Sequence, residues 1–481
     1  MRTILIVHRY LGVAVGLLMT LWCLSGFVML YRGFPAVSAE QRLAGLKPLD
    51  LSHLAPKLDL GSGPLEGVRI EMLDDRPVMR LAGPEGRRTL DLATGAAVEH
   101  LGSQQAADVA MAFAASREVF SDTVETRLID QDQWTVEGAS SRGPVYRVAF
   151  SDPARTVVYV AERTGEVVQA TDKGARLWAW LGAIPHWLYL HVLRRNGQVW
   201  AQVVIWTSLT GVFLTATGLY VGIARFRRTR DGRWTPYSGW RWWHHLAGLF
   251  FGLFTLTWVT SGLLTVNPWG LLESSASETA QAALAGEVRP SDASGFLAAA
   301  RGLAPGAVTL EAAPLGGRLF VVERARGGRR VRLDGQGRAA PLGRDELAAA
   351  LMGAGLPPAR LELMTRPDAY YYPNYDGPAP LPVWRAGLAG PGGRTVYLDP
   401  VSGRVRLVVD GEVKASRWIR VGLHDFDFPG LRTRPLWDVV VILLLAGVTT
   451  GVATGAWLSL KRIALDISRL KMRLSRGRPR A

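Results

Sequence analysis

Four long apolar stretches divide the chain, and polar or mixed sequence separates them. They cover residues 4–30, 199–223, 246–266 and 436–460. Each is close to or longer than the roughly 20 residues that a helix needs to cross the hydrocarbon core of a bilayer. The first is too long for a cleaved signal peptide and lacks a small-residue cleavage site. The pattern therefore predicts four transmembrane helices, with two long segments between them.

Positive charge gathers at three places beside these stretches. Residues 1–10 contain two arginines, residues 224–243 contain six arginines against one aspartate, and residues 461–481 contain eight basic residues against one aspartate. These clusters account for nearly all of the net charge of +15. Because basic residues beside a span stay in the cytoplasm, both termini and the loop 225–243 are predicted to be cytoplasmic. The charge thus indicates a lipid bilayer as partner, and no nucleic acid.

This topology predicts eight consecutive regions. They are a first transmembrane helix (1–31), a first outer domain (32–175), a lead-in with the second helix (176–224), a basic cytoplasmic loop (225–243), the third helix (244–266), a second outer domain (267–417), a lead-in with the fourth helix (418–460) and a basic cytoplasmic tail (461–481). Alternating apolar runs that end in turn residues predict β-hairpins at 89–98, 157–168 and 395–407. Alanine-rich runs predict helices at 106–120 and 344–355. Each outer domain is therefore predicted to be α+β.

The odd-numbered and the even-numbered apolar stretches resemble each other in pairs. Without a gap, HRYLGVAVGLLMTLWCLSG (8–26) and HHLAGLFFGLFTLTWVTSG (244–262) share seven of 19 positions, including a histidine at the start. The lead-ins of the second and fourth stretches pair His186 with His424, and a Thr-Gly follows within each stretch. The predicted fold class is a four-helix membrane bundle of two tandem parallel repeats. A pseudo-two-fold axis along the membrane normal would relate the two copies.

Six of the eight histidines lie beside the predicted spans, where an ionisable side chain is expensive and therefore a candidate for function. The repeat pairs His8 with His244 at the cytoplasmic side, and His186 with His424 at the outer side. Two facing imidazoles at each membrane surface would make two bis-histidine sites, and haem iron accepts axial imidazoles. The competing interpretations are an interfacial or structural role and a zinc or copper site, although no acidic or cysteine ligands cluster with these histidines.

Two further histidines and a glycine pattern have more than one interpretation. His245 could replace His244 as a ligand or donate a hydrogen bond to a haem propionate, whereas His191 has no counterpart in the other repeat. Glycines four residues apart in the first and third spans would leave a flat helix face for a porphyrin, or allow close helix–helix packing. These glycines are Gly12, Gly16, Gly248 and Gly252.

The single cysteine, Cys23, limits the redox chemistry that the chain can carry. One cysteine inside a span excludes intrachain disulfides, covalent c-type haem attachment and cysteine-ligated iron–sulfur clusters. Noncovalent haem b, in two copies, is then the most economical carrier. A G-x-G-x-x-G fingerprint within a βαβ unit is not present, so the electron donor would be external, a quinol or a cytoplasmic reductase.

Several motifs together resemble the PepSY-associated transmembrane family of bacterial inner-membrane proteins. They are HRYLG, IPHWLYL with LRRNGQVW, WWHHLAGL with TWVTSGLL, HDFDFPGL with RPLWD, and the hairpin sequences TGEV and DPVSGRV. The resemblance covers essentially the whole chain and implies PepSY-like outer domains in the periplasm. Family members include ferrisiderophore reductases that bind haem in the four-helix domain. On this resemblance the haem ligands are His8, His186, His244 and His424.

Two functions remain open. The first is a transmembrane electron conduit, a haem-dependent reductase that passes electrons to a periplasmic ferric siderophore or other ferric chelate. The second is a non-enzymatic binding or regulatory protein whose PepSY modules inhibit a peptidase or dock a partner, with the spans as anchors. The second leaves the matched histidines unexplained. The tyrosine-rich stretch 367–378 is either part of the acceptor site or a packed loop.

Overall fold

In the computed structural model the described residues are 1–476 without 56–57, 62, 84–85, 122–123, 139–141, 287, 290–291, 293–295, 298–299, 301–305, 374–377 and 391. Part of the tyrosine-rich stretch (374–377) and the last five residues of the basic tail therefore lie outside the described residues. The chain forms two compact units. The first comprises Met1–Phe34, Leu177–Glu273 and Ala415–Ala481, and the second comprises Pro35–Arg176 and Ser274–Lys414.

The described helices differ widely in length. In chain order they are α1 (Arg2–Met29), α2 (Ala39–Ala44), α3 (Ser103–Ala115), α4 (Lys173–Leu181), α5 (Ala183–Trp187), α6 (His191–Arg194), α7 (Gly197–Arg225), α8 (Trp240–Thr265), α9 (Ala276–Ala285), α10 (Arg344–Gly353), α11 (Gly411–Ala415), α12 (Leu423–Asp425) and α13 (Leu436–Arg476). A 3₁₀ turn at Pro268–Gly270 follows α8, and a π-helical segment at Ser416–Gly422 precedes α12.

The helices α1, α7, α8 and α13 are long and apolar enough to cross a membrane, which confirms the four predicted spans. Within the first unit, α1 packs on α7 and α13, and α8 packs on the same two helices. Helices α1 and α8 therefore occupy opposite corners of a four-helix bundle. Local signals set some of the ends: the Asn196 side chain caps α7 by accepting a hydrogen bond from the Val199 amide, 3.0 Å away.

The glycines at four-residue spacing pack helix against helix. A Cβ added at Gly252 would lie 2.6 Å from Leu219 of α7, and one added at Gly16 would lie 3.5 Å from the Cα of Ala456 in α13. Such contacts are possible only where one helix lacks a side chain. At these two positions the structure favours close packing, whereas a Cβ added at Gly248 would meet no atom within 4 Å.

Helix α13 continues well beyond the stretch predicted from hydrophobicity. The apolar residues end near 460, but the helix runs to Arg476. No glycine or proline occurs between Gly455 and Gly477, so nothing local interrupts the backbone hydrogen bonds. The Arg462 guanidinium also pairs with the Asp466 carboxylate one turn later, at 2.8 Å. The basic tail is thus helical over most of its length.

The second unit contains fourteen named strands in three antiparallel sheets. The strands are β1 (Gly67–Leu73), β2 (Arg76–Gly83), β3 (Gly86–Asp91), β4 (Val124–Ile129), β5 (Val145–Phe150), β6 (Val157–Ala161), β7 (Val167–Thr171), β8 (Ala307–Ala312), β9 (Val321–Ala325), β10 (Arg330–Leu333), β11 (Pro358–Met364), β12 (Val383–Leu388), β13 (Thr395–Leu398) and β14 (Val405–Val409). Their orders are β10-β9-β8-β1-β2-β3, β4-β5-β6-β7 and β11-β12-β13-β14.

The six-stranded sheet contains strands from both outer segments. Its central pair is β1 with β8, antiparallel, with Ile70 opposite Leu310. Both side chains are fully buried in the same hydrophobic cluster. The residues on either side of this pair are Arg69 opposite Glu311 and Glu71 opposite Thr309. The sequence predicts one outer domain in each segment, and the structure adds a shared sheet that joins the two segments into one unit.

The predicted hairpins and alanine-rich helices correspond to observed elements. Strands β6 and β7 pair around the turn in 157–168, and β13 and β14 pair around the turn in 395–407. The stretch 89–98 contains only the end of β3 and one bridge, between Leu90 and Ala97. The two predicted helices are α3 and α10, and α3 ends at Ala115, five residues before the predicted end.

Candidate functional site

The histidines at the starts of α1 and α8 meet across the bundle. The ring centroids of His8 and His244 are 6.1 Å apart, and the two ring planes are inclined by 26°. Because α1 and α8 occupy opposite corners, each ring extends from its own helix toward the middle of the bundle. The structure thus brings together the two histidines that the aligned spans pair.

Each of these rings is held through its Nδ1 atom by the backbone of a neighbouring helix. The His8 Nδ1–H donates to the Leu214 carbonyl of α7 at 3.0 Å, and the His244 Nδ1–H donates to the Gly451 carbonyl of α13 at 2.9 Å. A carbonyl oxygen can only accept, so the hydrogen is on Nδ1 and the lone pair is on Nε2. The two rings therefore have the same tautomer and equivalent anchors.

A second histidine pair lies at the other end of the bundle. The ring centroids of His186, in α5, and His424, in α12, are 6.3 Å apart, with the ring planes inclined by 56°. Both residues stand in the short helices that precede α7 and α13. The structure therefore also joins the pair that the two lead-in sequences predict.

Serine hydroxyls hold this second pair. The His186 Nδ1–H lies 3.1 Å from the Trp22 carbonyl and 3.2 Å from the Ser25 Oγ, and the His424 Nδ1–H lies 3.2 Å from the Ser261 Oγ. Each serine hydroxyl donates its own hydrogen to a carbonyl one turn earlier in its helix, so its oxygen accepts from the imidazole. These hydrogen bonds again leave the lone pair on Nε2.

Four glycines provide the space in which the rings lie. A Cβ added at Gly218 would lie 2.7 Å from the His8 Cε1, and one added at Gly455 would lie 2.8 Å from the His244 Cε1. At the other end a Cβ at Gly262 would lie 3.1 Å from the His424 Cε1, and one at Gly26 would lie 3.9 Å from the His186 Cε1. Real Cβ atoms do not approach a carbon atom as closely as the first two would. The His8–His244 pair therefore depends on glycine at the Thr-Gly positions of α7 and α13.

The Nε2 atoms of the four paired histidines have no hydrogen-bond partner among the described residues. At His186, burial and secondly the neighbouring His424 ring lower the pKa of the imidazole to about 4. The ring is therefore neutral near pH 7, which is the form that can bind a metal. Each pair offers two imidazole nitrogens, and the described part of the chain gathers no group of three or more His, Cys, Asp or Glu side chains.

His245 has a different environment from its neighbour His244. Its side chain is buried, its Nε2–H donates to the Gly222 carbonyl at 2.9 Å, and its Nδ1 accepts from the Thr235 hydroxyl at 2.7 Å. Both ring nitrogens are thus used by the protein, and the ring ties the loop between α7 and α8 to the end of α7. His191 begins the short helix α6, and its repeat-equivalent position carries no histidine. We therefore leave both residues out of the ligand set.

The anchoring residues were visible in the sequence, but their purpose was not. Trp-x-x-Ser-Gly ends the aligned part of both odd spans, and Thr-Gly recurs in both even spans. In the sequence these pairs serve only as evidence of the repeat. In the structure their serines and glycines contact the four imidazoles, so the shared residues surround one kind of site.

Comparison with known proteins shows the family of the chain. The family described as the PepSY-associated TM region matches residues 5–462. No curated protein matches the sequence. Because the match covers nearly the whole chain, the protein belongs to the PepSY-associated TM family, as its motifs suggest.

Proposed function

We propose that this member of the PepSY-associated TM family is an inner-membrane electron carrier with two b-type haems. His8 and His244 would hold one haem, and His186 and His424 the other. Electrons from an external donor, a quinol or a cytoplasmic reductase, would reach a ferric chelate in the periplasm. The protein would thus act as a ferric-chelate reductase, and the paired imidazoles are the observation that carries the proposal.

The ring spacing would allow both members of each pair to hold one iron atom. A metal–imidazole bond is about 2 Å long, and the ring centroid lies roughly 1 Å behind the bonded nitrogen. Two imidazoles on opposite sides of one iron therefore have centroids about 6 Å apart. The observed separations of 6.1 and 6.3 Å agree with this value. Rings in direct van der Waals contact would instead be closer.

The hydrogen bonds of the rings support the same assignment. A metal-binding histidine ordinarily donates its other ring N–H to a carbonyl, carboxylate or similar acceptor, which fixes the tautomer and orients the ring. All four Nδ1 atoms are held in this way, by carbonyls or by serine oxygens. The chain's residues would thus present four oriented Nε2 lone pairs.

Haem supplies a one-electron carrier when it is bound, and the protein determines where the carriers lie. His8 belongs to the first pair, and Ser25 contacts His186 of the second pair. The two residues are 17 positions apart in α1. At 1.5 Å per residue they are about 25 Å apart along the helix, close to the roughly 30 Å of a bilayer core. One haem site at each end would therefore shorten the distance that an electron must cross in a single step.

Orientation and internal symmetry are part of the proposal. The basic residues beside the His8–His244 end support placing that end in the cytoplasm. The second unit would then be periplasmic. The two outer segments contain the same order of elements: three strands, a helix and four strands. This order, together with the equivalent anchors of the four histidines, supports two tandem repeats.

An optical spectrum of the purified protein tests the proposal. After expression with adequate haem supply, we expect dithionite reduction to produce sharp b-type bands, with about two haems per chain by pyridine haemochrome assay. Ferric chelate added to the reduced protein should reoxidise it. Protein that contains no haem under these conditions would overturn the proposal and leave a binding role for the outer unit.

Replacing His245 with alanine separates the two adjacent histidines. The substitution removes two buried hydrogen bonds, so we expect the free energy of unfolding to fall by about 1–3 kcal/mol. Both haems should remain, because neither ring nitrogen of His245 is available to iron. Thermal unfolding and haem content measured on one sample test this, with Thr235→Val as a milder variant. Loss of one haem at normal stability would identify His245 as a ligand.

A further inference from the structure

The two four-stranded sheets of the second unit carry the same polar group. In the first, Tyr159 on β6 donates to Asp132 at 2.7 Å and lies opposite Arg147 on β5. In the second, Tyr397 on β13 donates to Asp368 at 2.6 Å and lies opposite Arg385 on β12. The two copies can therefore be compared position by position.

Two differences distinguish the copies. Tyr371 stacks on Tyr397, with centroids 5.0 Å apart and planes inclined by 12°, and it belongs to a hydrophobic cluster. The residue three places after the other aspartate is Thr135, which has no ring to stack on Tyr159. The first sheet borders a cleft of about 570 Å³, a volume typical of small-molecule sites.

The second difference lies in the turn between the two middle strands. The Phe150 amide donates to the Thr156 carbonyl, and the Leu388 amide donates to the Arg394 carbonyl in the same way, which aligns the two five-residue turns. This alignment places Arg155 where the other copy has Gly393. Both have positive φ, 51° and 53°. Arginine in this conformation is strained relative to glycine. We therefore expect the arginine side chain to have a role of its own.

Three arginines outnumber two aspartates in the lining of the cleft. Its lining includes Arg147, Arg155 and Arg176, and no carboxylate of the described residues lies within ion-pair distance of these three. The two aspartates that border the cleft already accept hydrogen bonds from the protein. Asp132 accepts one from Tyr159, and Asp152 accepts from the amide and hydroxyl of Thr156 at 2.7 and 2.9 Å. Arg176 donates to the Thr171 hydroxyl and to the Arg155 carbonyl, and Arg147 also hydrogen-bonds with Tyr159. Among the described residues, the Arg155 guanidinium is therefore the one most available to a ligand.

One of the three arginines, Arg176, stabilises the turn that contains Arg155. It donates to the Arg155 carbonyl at 2.8 Å, and Lys414 donates to the Gly393 carbonyl at 3.1 Å in the other copy. A cation that stabilises the turn is therefore present in both copies. Arg155 is the additional cation of the first copy, at the position of Gly393 in the second.

We propose that this cleft binds a compact anion with two or more carboxylate groups, held by Arg147 and Arg155 beside Trp134. Guanidinium forks match carboxylates bidentately, and the indole lines the same cleft. The identity of the anion rests on the proposed function: it is the carboxylate shell of a ferric chelate.

Calorimetric titration of the haem-loaded protein in detergent tests the inference. The probe is gallium citrate, which resembles ferric citrate but is not reduced, so binding is measured without electron transfer. We expect one site per chain and an affinity that falls with salt. A cationic gallium trihydroxamate should not bind. No binding of gallium citrate, or equal binding of both chelates, would overturn the inference.

Arg155→Gly supplies the sharpest variant. It should weaken gallium citrate binding about tenfold, since it removes a charged hydrogen-bond donor. The melting temperature should stay equal or rise, because glycine relieves the strained turn. Arg338→Gln, at an arginine whose side chain is 75% exposed, is the matched control and should change neither quantity. Unchanged affinity in Arg155→Gly would exclude this cleft.

The haem spectrum of the same sample separates this inference from the proposed function. Protein with two haems that does not bind gallium citrate overturns the assignment of the cleft alone. Haem-free protein that binds gallium citrate, and loses it in Arg155→Gly, supports the cleft and overturns electron transfer.

Discussion

Replacing His424 with alanine is expected to remove the outer haem and leave the inner one. The substitution would leave His186 as the one remaining imidazole of that site, without the partner ring 6.3 Å away. The inner pair, about 25 Å away along α1, keeps its ring spacing and both carbonyl anchors. We therefore expect about one haem per chain by pyridine haemochrome assay, and one component instead of two in a redox titration.

The complementary variant and a control complete this experiment. His8→Ala should lose the inner haem and leave the outer one, so the component that survives must differ between the two variants. His100→Ala is the control, because its side chain is 65% exposed and lies in the second unit. Equal loss of both haems in either variant would show that the four histidines are paired differently.

Replacing Gly455 with alanine is expected to cause loss of the inner haem, although the substitution removes no ligand. The added Cβ would lie 2.8 Å from the His244 Cε1, so the ring must move away from the Gly451 carbonyl that orients it. A displaced ring can no longer bind in line with His8. Low-temperature electron paramagnetic resonance and haem content should report the change, and Gly218→Ala should behave in the same way from the His8 side.

A glycine in the same bundle provides the matched control. A Cβ added at Gly248, in α8, meets no atom within 4 Å. Alanine favours a helix over glycine by up to about 1 kcal/mol, so Gly248→Ala should fold normally and keep both haems. If the alanines at 248 and 455 reduced haem content equally, the loss would come from a general effect on the bundle and not from the ring contact.

The histidine pairs could be predicted because a repeat restricts where equivalent residues lie. In the proposed arrangement of two tandem copies, identical residues at equal positions can face each other, and the rings of His8 and His244 lie 6.1 Å apart. The adjacent His245 could not be assigned in this way. Neighbouring residues on a helix differ by about 100° in direction, so His244 and His245 face different surroundings. Only the rotation of the helix about its own axis, which the structure gives, shows which of the two residues faces the middle of the bundle.

Other features left no readable signal in the sequence. Ser25 and His186 are separated by 161 residues, and their contact depends on how two helices approach each other. The pairing of β1 with β8 uses backbone hydrogen bonds, which any alternating apolar strand can form. The differences between the two Tyr–Asp–Arg groups became apparent only when both sheets could be compared in register.

The β1–β8 pair has a consequence for biosynthesis. Ile70 emerges from the ribosome about 240 residues before Leu310, its partner in the sheet. At roughly 5–20 residues per second, β1 waits about 10–50 seconds for β8. During this interval two further spans must be inserted, and the exposed backbone edge can pair with other chains. The segment that contains β1 is therefore a candidate client for chaperones until β8 has been made.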